Sequence, residues 1–412
     1  MTERVVITGI GAVTPVGLDR ETTWQALLAG RSGVGAITAF DASGLSTRIA
    51  AQVTGFDPAN VLQGKRLRRS ARFTQFAVAA AREAVLDAEL TIDPARSGRV
   101  GVVINAAVAG FDTIEAATRS VLEPDFTRLS PYFVASSLTN MPACEVAIDL
   151  GVHGPVTASA LACASGVYAL VEARRLLLSG EADVVVCGGT DAAISEVMFA
   201  GLSTMGALSQ RNDDPATASR PFDAERDGFV FGEGSVIMVL ETAEHAARRG
   251  ATSYAALAGG ALTADAFHVS APEPNGTYAT AAIERALGNA GLKPEQIDYV
   301  CAHGTSTRAN DRTETAAIRG AFGPAADRVA VSSPKSMVGH MIGAAGALGA
   351  MVSVLAIRDG IVPPTINLTT PDPECDLDYV PNVARALPVR AATANAFGFG
   401  GQNCVAVFVA DD

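Results

Sequence analysis

The sequence has few cations and almost no lysine. Its three lysines are Lys65, Lys293 and Lys335, and its 412 residues carry a formal net charge of −12. A protein that binds nucleic acid through the phosphates needs an excess of cations to replace the counterions. The composition therefore excludes a general nucleic-acid binder, and we expect no nucleic-acid partner.

Paired cysteines are also absent. The six cysteines (144, 163, 187, 301, 375 and 404) are widely scattered, with no CxxC pair and no His/Cys spacing typical of a metal site. Such a pattern supplies neither a disulfide framework nor a zinc site. We therefore expect free thiols, a reducing cytoplasm and no metal.

Long hydrophobic runs are limited to one uncharged stretch, residues 341–357, which is rich in Gly and Ala. A helix that spans a membrane needs about 20 apolar residues, so this stretch is slightly short. Charged residues follow it directly, and we predict a buried core helix and no membrane association. At the other end of the chain, residues 5–9 predict a strand rather than a signal peptide.

What the sequence does contain is an alternation of β-prone and helical stretches that runs twice. Strands are predicted at 5–9, 100–105, 182–189 and 235–241, and then at 254–263, 299–302, 329–332, 392–396 and 404–409. Helices are predicted at 22–28, 72–88 and 167–178, and then at 280–290, 311–322 and 343–358. This order predicts a layered α/β fold with a duplicated core, divided into residues 1–250 and 251–412.

Two stretches of the first half do not follow the alternation. Residues 107–140 are predicted to be irregular, as a cap or a dimer segment outside the sheet. Residues 211–234 are rich in Asn, Asp, Pro and Gly and predict a long functional loop.

Cys163 stands between a short β-prone stretch and a predicted helix, among the small residues of Ala158-Ser-Ala-Leu-Ala-Cys163-Ala-Ser-Gly166. The free amides and the dipole of a helix N-terminus stabilise an anion. A thiol placed there should ionise more readily than a free thiol and become reactive. The alternative is a buried structural cysteine, because free cysteine usually behaves as a small hydrophobe.

Three later motifs contain further candidate residues. His303 ends a predicted strand, and Lys335 and His340 precede the Gly/Ala-rich helix. A cation beside such a close-packed helix needs a partner, for which Glu314 is a candidate. The Gly-rich loop at 397–401 can present amides to an oxyanion. Each motif alone also fits a structural role, as a core histidine, a helix cap with a surface cation, or a hairpin turn.

A basic cluster, Lys65-Arg66-Leu67-Arg68-Arg69, precedes the predicted helix at 72–88. Most charge runs are solvated helix faces. Cations at a helix N-terminus oppose the dipole, however, so the cluster has a local cost. An acidic partner would explain it.

Together these motifs resemble the β-ketoacyl-acyl carrier protein synthases, the elongating condensing enzymes of dissociated fatty-acid and polyketide systems. The resemblance rests on Ala162-Cys163-Ala-Ser-Gly166, His303-Gly-Thr-Ser-Thr307, Lys335-Ser-Met-Val-Gly-His340 and Phe397-Gly-Phe-Gly-Gly401. Ser219-Arg-Pro-Phe-Asp223 and Arg226-Asp-Gly-Phe-Val230 also match. The similarity covers essentially the whole chain.

The resemblance implies a thiolase fold, with two βαβαβαββ halves in a five-layer αβαβα sandwich, that works as a dimer. It implies an acyltransferase in which Cys163 takes an acyl group from acyl carrier protein. His303 and His340 then assist decarboxylation of malonyl-carrier protein, and the product is a 3-oxoacyl chain two carbons longer. The substrates are carried on the phosphopantetheine of the carrier, and no other cofactor is expected.

The resemblance also assigns supporting roles. The amides of Cys163 and Phe399 bind the oxyanion, and Phe399 gates the acyl channel. Lys335, Glu314 and Asp311 support His303. Val108 and Leu202 lie at the acyl pocket, and we hypothesise that this pocket is roomy. The acidic carrier protein docks at Lys65, Arg68 and Arg69.

Three positions depart from the family pattern: Gly349 replaces a common Glu, Arg308 a common Pro, and Gly206 an Arg that often contacts the carrier. Other stretches resemble the ketosynthase subunit of type II polyketide systems, whose partner is a chain-length factor rather than a second copy. A non-catalytic partner subunit is disfavoured because Cys163 is present. A thiolase would need a second reactive cysteine where this chain has Phe397-Gly-Phe-Gly.

Overall fold

The computed structural model describes residues 4–124 and 129–411. Its strands are β1 (Val5–Val13), β2 (Val34–Ala36), β3 (Ile49–Ala51), β4 (Val100–Asn105), β5 (Val156–Thr157), β6 (Val184–Asp191), β7 (Gly234–Thr242), β8 (Ala255–Ala264), β9 (Tyr299–Cys301), β10 (Ala330–Ser332), β11 (Ile361–Val362), β12 (Arg385–Ala386), β13 (Ala391–Gly398) and β14 (Gln402–Val409). Its helices are α1 (Arg20–Leu28), α2 (Gly64–Arg69), α3 (Arg72–Asp87), α4 (Phe111–Leu122), α5 (Phe133–Ser137), α6 (Met141–Leu150), α7 (Ser165–Leu178), α8 (Glu196–Met205), α9 (Ala243–Arg248), α10 (Thr277–Ala290), α11 (Arg308–Phe322), α12 (Lys335–Val338) and α13 (Ala345–Asp359).

The two halves of the chain share one topology. Strands pair in the order β10-β9-β13-β14-β8-β1-β7-β6-β4-β5, so β1 and β8 meet at the middle. In each half the second core strand pairs in parallel with the third and the fourth, and the fifth runs antiparallel to the fourth and the first. In both halves helices lie between successive core strands up to the fourth, as in βαβαβαββ, and the first half has one additional helix, α8, between its fourth and fifth strands. The predicted duplication of the core is confirmed at the level of topology.

The helices form three layers around the two half-sheets. α3 and α6 cover the outer face of the first half-sheet, and α10, with α11 beside it, covers the second. α7 and α13 pack against each other and against strands of both halves. Apolar strands buried on both faces fit between such layers. The αβαβα arrangement expected from the resemblance is confirmed.

The predicted core helix is also confirmed. Residues 342–359 are long and apolar enough to cross a membrane by composition alone, but most of this segment is buried inside the molecule. α13 contacts α7 and six core strands of the two halves, β6, β7, β8, β9, β13 and β14. Its apolar surface on every side is the pattern of a helix inside a large core.

The prediction for residues 107–140 was partly wrong. It contains the helices α4 and α5 and ends directly before α6, and no strand lies in its described part; residues 125–128 fall outside the described residues. α4 has apolar residues on one face, which the mixed composition of the segment hid. The predicted long loop at 211–234 is confirmed, with only a short 3-10 turn inside it.

Candidate active site

Cys163 lies in a 3-10 turn, Ala162–Ala164, immediately before α7. The turn is strained at Ala162, whose φ of +46° is rare for a residue with a side chain. Asn105 at the end of β4 holds this loop: its Nδ2 donates to the carbonyl of Ser165 (3.0 Å), and its Oδ1 accepts from the amide of Ser159 (2.7 Å). The predicted position of the cysteine at a helix N-terminus is confirmed.

Two imidazoles from the second half of the chain face the Cys163 sulfur. His303 lies in the connection between β9 and α11, and His340 lies in the connection between α12 and α13. Sγ of Cys163 and one ring nitrogen of each histidine all lie within 4.8 Å of one another. The two rings stand nearly perpendicular, with centroids 5.4 Å apart.

Both histidines are neutral at physiological pH. Burial, with the nearby Lys335 ammonium, holds the pKa of His303 and of His340 well below the usual value. The amide of Ile342 donates to Nδ1 of His340 (3.2 Å), so the ring hydrogen is on Nε2. This nitrogen makes no hydrogen bond within the described residues. It is available to donate to a substrate oxygen.

The predicted ease of ionisation at Cys163 was wrong. Burial raises the pKa of the Cys163 thiol to about 11, although the Lys335 charge and the amide of Phe399 act in the opposite direction. Desolvation of the thiolate outweighs the helix N-terminus because the sulfur lies at the bottom of a protein-lined cavity. The thiol of Cys163 is therefore uncharged at neutral pH.

Lys335 and Glu314 do not form the ion pair that the sequence suggested; no N–O distance between them is within 4.0 Å in the described structure. Both bind the backbone of the His303 segment instead. Lys335 Nζ donates to the carbonyl of His303 (2.5 Å), while the Glu314 carboxylate accepts from the amides of His303 and Gly304, both at 2.7 Å. The two buried side chains thereby fix the histidine from opposite ends of its peptide.

Asp311 lies one helical turn before Glu314 on α11 and is fully buried. Its carboxylate accepts from the amides of Phe222 (2.8 Å) and Ser306 (3.2 Å) and lies 3.4 Å from the buried Arg226 guanidinium. Asp311 therefore anchors the loop after His303 to the long loop of the first half.

A cavity of about 610 Å³ opens beside these residues. Val108 and Leu202, the predicted acyl-pocket residues, line it together with Cys163 and both histidines. Phe399 lies at its rim with 41% of its surface exposed, and the Phe399 amide faces the sulfur. The neighbouring Gly398 allows this approach, since a Cβ there would lie 2.7 Å from the carbonyl of Leu161.

The basic cluster forms α2, on the outer face of the first half. Arg66 and Arg69 are held by ion pairs with Glu145, and Arg66 also pairs with Asp149. Lys65 and Arg68 are exposed and enter no ion pair within the described residues. Of the three predicted docking residues, Lys65 and Arg68 therefore present free charge, and Arg69 is already neutralised by Glu145.

The three departures from the family pattern have different surroundings. Gly206 ends α8 in a left-handed conformation (φ +69°) and lines the cavity, as does Arg308 at the start of α11. Gly349 lies within α13, and a Cβ there would meet only Cys301 Sγ at 3.5 Å and Ala394 at 3.8 Å. Among the described residues, no carboxylate lies within 4 Å of that Cβ position.

The sequence-based interpretation missed two buried polar residues, Asn105 and Asp191. Each is the last residue of a buried apolar strand, β4 and β6. A polar side chain at the carboxyl end of a parallel strand was the available signal, since α/β proteins place their sites there.

Cys163, His303 and His340 are also the only group of at least three metal-ligand side chains brought together in the described parts of the chain. Thiolate and imidazole are ligand types that zinc uses. The trio is equally suited to chemistry on a thioester, with one nucleophile and two neutral donors.

Comparisons with known proteins match nearly the whole chain. Residues 2–246 match the family model for the β-ketoacyl synthase N-terminal domain, and residues 254–369 match the model for the C-terminal domain. The chain is 48% identical over 406 residues to 3-oxoacyl-[acyl-carrier-protein] synthase 2 of Synechocystis sp., covering 98% of each chain. It is 46% identical over 400 residues to the protein of the same name from Coxiella burnetii, covering 97% of each.

Solved structures resemble the whole chain. The ishigamide ketosynthase/chain length factor matches with a TM-score of 0.93 and 37% identity. A type II polyketide acyl-carrier protein in complex with its ketosynthase matches with a TM-score of 0.92 and 34% identity. Each alignment covers 100% of both chains. The expected thiolase fold is confirmed.

Proposed function

This chain belongs to the β-ketoacyl synthase family, a family of condensing acyltransferases, and from that membership we propose that Cys163, His303 and His340 carry out its condensation. One observation supports this assignment above the others: the sulfur and two neutral imidazoles lie within 4.8 Å of one another at a cavity. The enzyme extends an acyl chain by two carbons to a 3-oxoacyl thioester on acyl carrier protein, in three steps.

In the first step, the Cys163 sulfur attacks the carbonyl of an acyl-carrier thioester. A new C–S bond forms, the carrier thiolate leaves, and the proton of Cys163 passes to that leaving sulfur. The amides of Cys163 and Phe399 stabilise the oxyanion. Transfer of the proton during this step suits a thiol whose pKa is about 11, because the resting enzyme holds little thiolate.

In the second step, the malonyl group on a second carrier loses CO₂. The electron pair of the broken C–C bond moves onto the thioester, and the enolate oxygen accepts hydrogen bonds from His303 and His340. Neutral imidazoles suit this role, because each has one ring N–H that can donate to the enolate oxygen without a large reorganisation.

In the third step, the enolate carbon attacks the carbonyl of the acyl-Cys163 thioester. The C–S bond breaks, the product leaves as the 3-oxoacyl carrier, and the Cys163 thiolate takes a proton from solvent. The cycle balances without a resident cofactor, since the phosphopantetheine belongs to the carrier substrate.

Loading and decarboxylation can be tested separately. Intact-mass measurement after incubation with acyl-carrier proteins should show one added acyl group in the wild type and none in Cys163→Ala. Cys144→Ala removes a half-buried thiol elsewhere and should load normally. Acylation of Cys163→Ala at the wild-type rate would overturn the assignment of the nucleophile.

His303→Ala should still accept the acyl group but lose decarboxylation, by on the order of 10²-fold or more for one lost oxyanion donor. His153→Ala replaces an exposed histidine outside the cavity and should release CO₂ at the parent rate. Release at the parent rate from His303→Ala would reject the role of that imidazole.

The size of the cavity favours a substrate with an extended acyl chain. Its volume of about 610 Å³ lies within the range of sites that enclose most of a sizeable ligand. Turnover measured across acyl lengths should extend to medium and long chains. Reaction of short chains alone would reject the roomy pocket.

We propose a homodimer that acts in fatty-acid elongation in the cytoplasm, where the six free thiols would stay reduced. The identities of 46–48% to the 3-oxoacyl synthases, against 34–37% to the polyketide neighbours, support this choice. A ketosynthase subunit paired with a chain-length factor is the second candidate, supported by the structural match to such a pair. Sedimentation and activity of the chain expressed alone distinguish them, because only the first candidate is an active dimer by itself.

A further inference from the structure

Asp191, the last residue of β6, is a buried carboxylate without a cation. It accepts four backbone hydrogen bonds: Oδ1 from the amides of Val108 (3.1 Å) and Ala109 (3.0 Å), and Oδ2 from those of Ala107 (2.9 Å) and Gly343 (2.7 Å). None of the ion pairs formed within residues 4–124 and 129–411 includes it. A buried charge is costly unless donors replace the lost water, and here four amides do so.

The four amides come from two segments on different sides of the cavity. Residues 107–109 contribute Ala107 and Val108 to the wall where the acyl chain would lie. Gly343 follows Ile342, which lines the cavity and whose amide binds Nδ1 of His340. One carboxylate therefore ties the acyl wall to the turn that orients an imidazole.

Both segments are strained. Ala109 has a φ of +52° and Ile342 a φ of +47°, in a region that residues with side chains rarely adopt. Such conformations persist only where the surroundings hold them, and they cluster at functional sites. The hydrogen bonds to Asp191 are contacts that both segments share.

We propose that Asp191 is a positioning residue of the condensation, which fixes the acyl-chain wall at residues 107–109 and the His340 turn relative to each other. This inference rests on the proposed function. It assigns no contact between Asp191 and substrate, and it explains why a carboxylate without a cation is kept in the core between the two segments. Burial raises the pKa of Asp191 only to about 6, so its carboxylate remains ionised at neutral pH.

The test is Asp191→Asn, which keeps the size of the side chain. An amide offers one acceptor oxygen and one NH₂ group, so it cannot accept from all four backbone donors. We expect the kcat of malonyl decarboxylation to fall on the order of 10- to 100-fold, because misplacing a catalytic group by an ångström has such an effect. The KM for malonyl-carrier should stay within about twofold, since the carrier surface is unchanged. The Asp191→Asn variant should also discriminate less than the wild type among acyl chains of different length.

Asp87→Asn is the matched control. Asp87 also accepts a backbone hydrogen bond, from Ile10 (2.9 Å), and pairs with Arg20, but it lies outside the cavity. It should lower stability while kcat and chain preference stay at wild-type values. A kcat and chain preference in Asp191→Asn equal to those of Asp87→Asn would overturn the proposal.

Hydrogen exchange of the wild type decides the question even where Asp191→Asn does not fold. If one carboxylate holds both segments, the amides of residues 107–109 and 343 open together and exchange at rates within about threefold. Rates that differ by more than about tenfold would overturn the positioning role. Failure of the proposed function has a different signature: the wild type itself would neither load an acyl group nor release CO₂.

Discussion

At Cys163, burial and local charge act on the thiol in opposite directions. Burial raises its pKa to about 11, and the positive Lys335 lowers it without reversing the shift. Alkylation requires the thiolate, whose fraction grows with pH as long as the pH is below the pKa. We expect the iodoacetamide rate at Cys163 to rise about tenfold per pH unit from pH 7 to 10, with no plateau. A plateau below pH 9 would show that the helix N-terminus outweighs burial.

Two substitutions should move this profile in opposite senses. The Lys335 charge favours the thiolate and the Asp191 charge disfavours it. Lys335→Met should therefore slow alkylation at pH 8, and Asp191→Asn should accelerate it, each on the order of tenfold for a change of one pKa unit. Equal rates in both variants and the wild type would show that charge does not govern the thiol.

At the scale of the element, α13 contains glycines of two kinds. A Cβ at Gly349 would make only ordinary contacts, whereas a Cβ at Gly346 would lie 2.7 Å from the amide of Val167 in α7. Alanine stabilises a helix interior by about 0.5–1 kcal/mol over glycine where there is room. Gly349→Ala should therefore raise the free energy of unfolding by about that amount, measured by urea denaturation.

Gly346→Ala is the matched control in the same helix. It should destabilise by about 1–3 kcal/mol, the usual effect of overpacking, because backbone rather than a flexible side chain lies in the way. A loss of stability in Gly349→Ala would mean that the space beside Cys301 is not available to a methyl group.

The elements that could be predicted from sequence are those whose signal is local. β6 and α13 are continuous apolar runs between Gly and charged residues, so both were placed within a few residues of their observed ends. α4 was missed because its one apolar face is interrupted by charged residues in a segment of mixed composition. The pairing of β1 with β7 joins residues more than 200 positions apart, which no local pattern encodes.

The features of the site also differ in whether they could be predicted from sequence. The family resemblance of the motifs implied that Cys163, His303 and His340 act together, and the fold brings them within 4.8 Å of one another. The sequence did not predict the correct direction of the pKa shift of Cys163, because burial is set by the packing of both halves. Nor did it predict that Lys335 binds a carbonyl of the His303 segment rather than Glu314. A sequence motif specifies side chains and does not show which backbone groups they bind.

At the scale of the whole molecule, the site exists only where the two halves meet. Cys163 comes from the first half and both histidines from the second. The single tryptophan, Trp24, is fully buried in the first half, and its Nε1 donates to Asp359 of the second (2.7 Å). Its fluorescence therefore reports the docking of the halves.

We expect Trp24 emission, far-ultraviolet circular dichroism and condensing activity to be lost in one coincident transition on urea titration, as for a cooperative unit. Trp24→Phe, which keeps most of the packing, should retain the transition by the other two probes. A shift of Trp24 emission well before the loss of secondary structure would indicate that the halves separate before they unfold.

Net charge and local charge oppose each other in carrier docking. The molecule carries a formal charge of −12, which repels an acidic carrier, whereas Lys65 and Arg68 on α2 present positive charge to solvent. Contacts at one patch are screened as the Debye length falls from about 10 Å at 0.1 M salt to about 3 Å at 1 M. The kcat/KM for carrier-bound substrate should therefore fall several-fold from about 0.1 to 0.5 M salt, while the kcat/KM for a pantetheine thioester should change little.

Lys65→Glu should lower the kcat/KM for carrier-bound substrate on the order of tenfold at low salt and leave the kcat/KM for the pantetheine thioester unchanged. Lys293→Glu makes the same charge change at an exposed lysine of the second half and should alter neither. Equal losses in the two variants would mean that net charge, and not the patch on α2, governs recognition of the carrier.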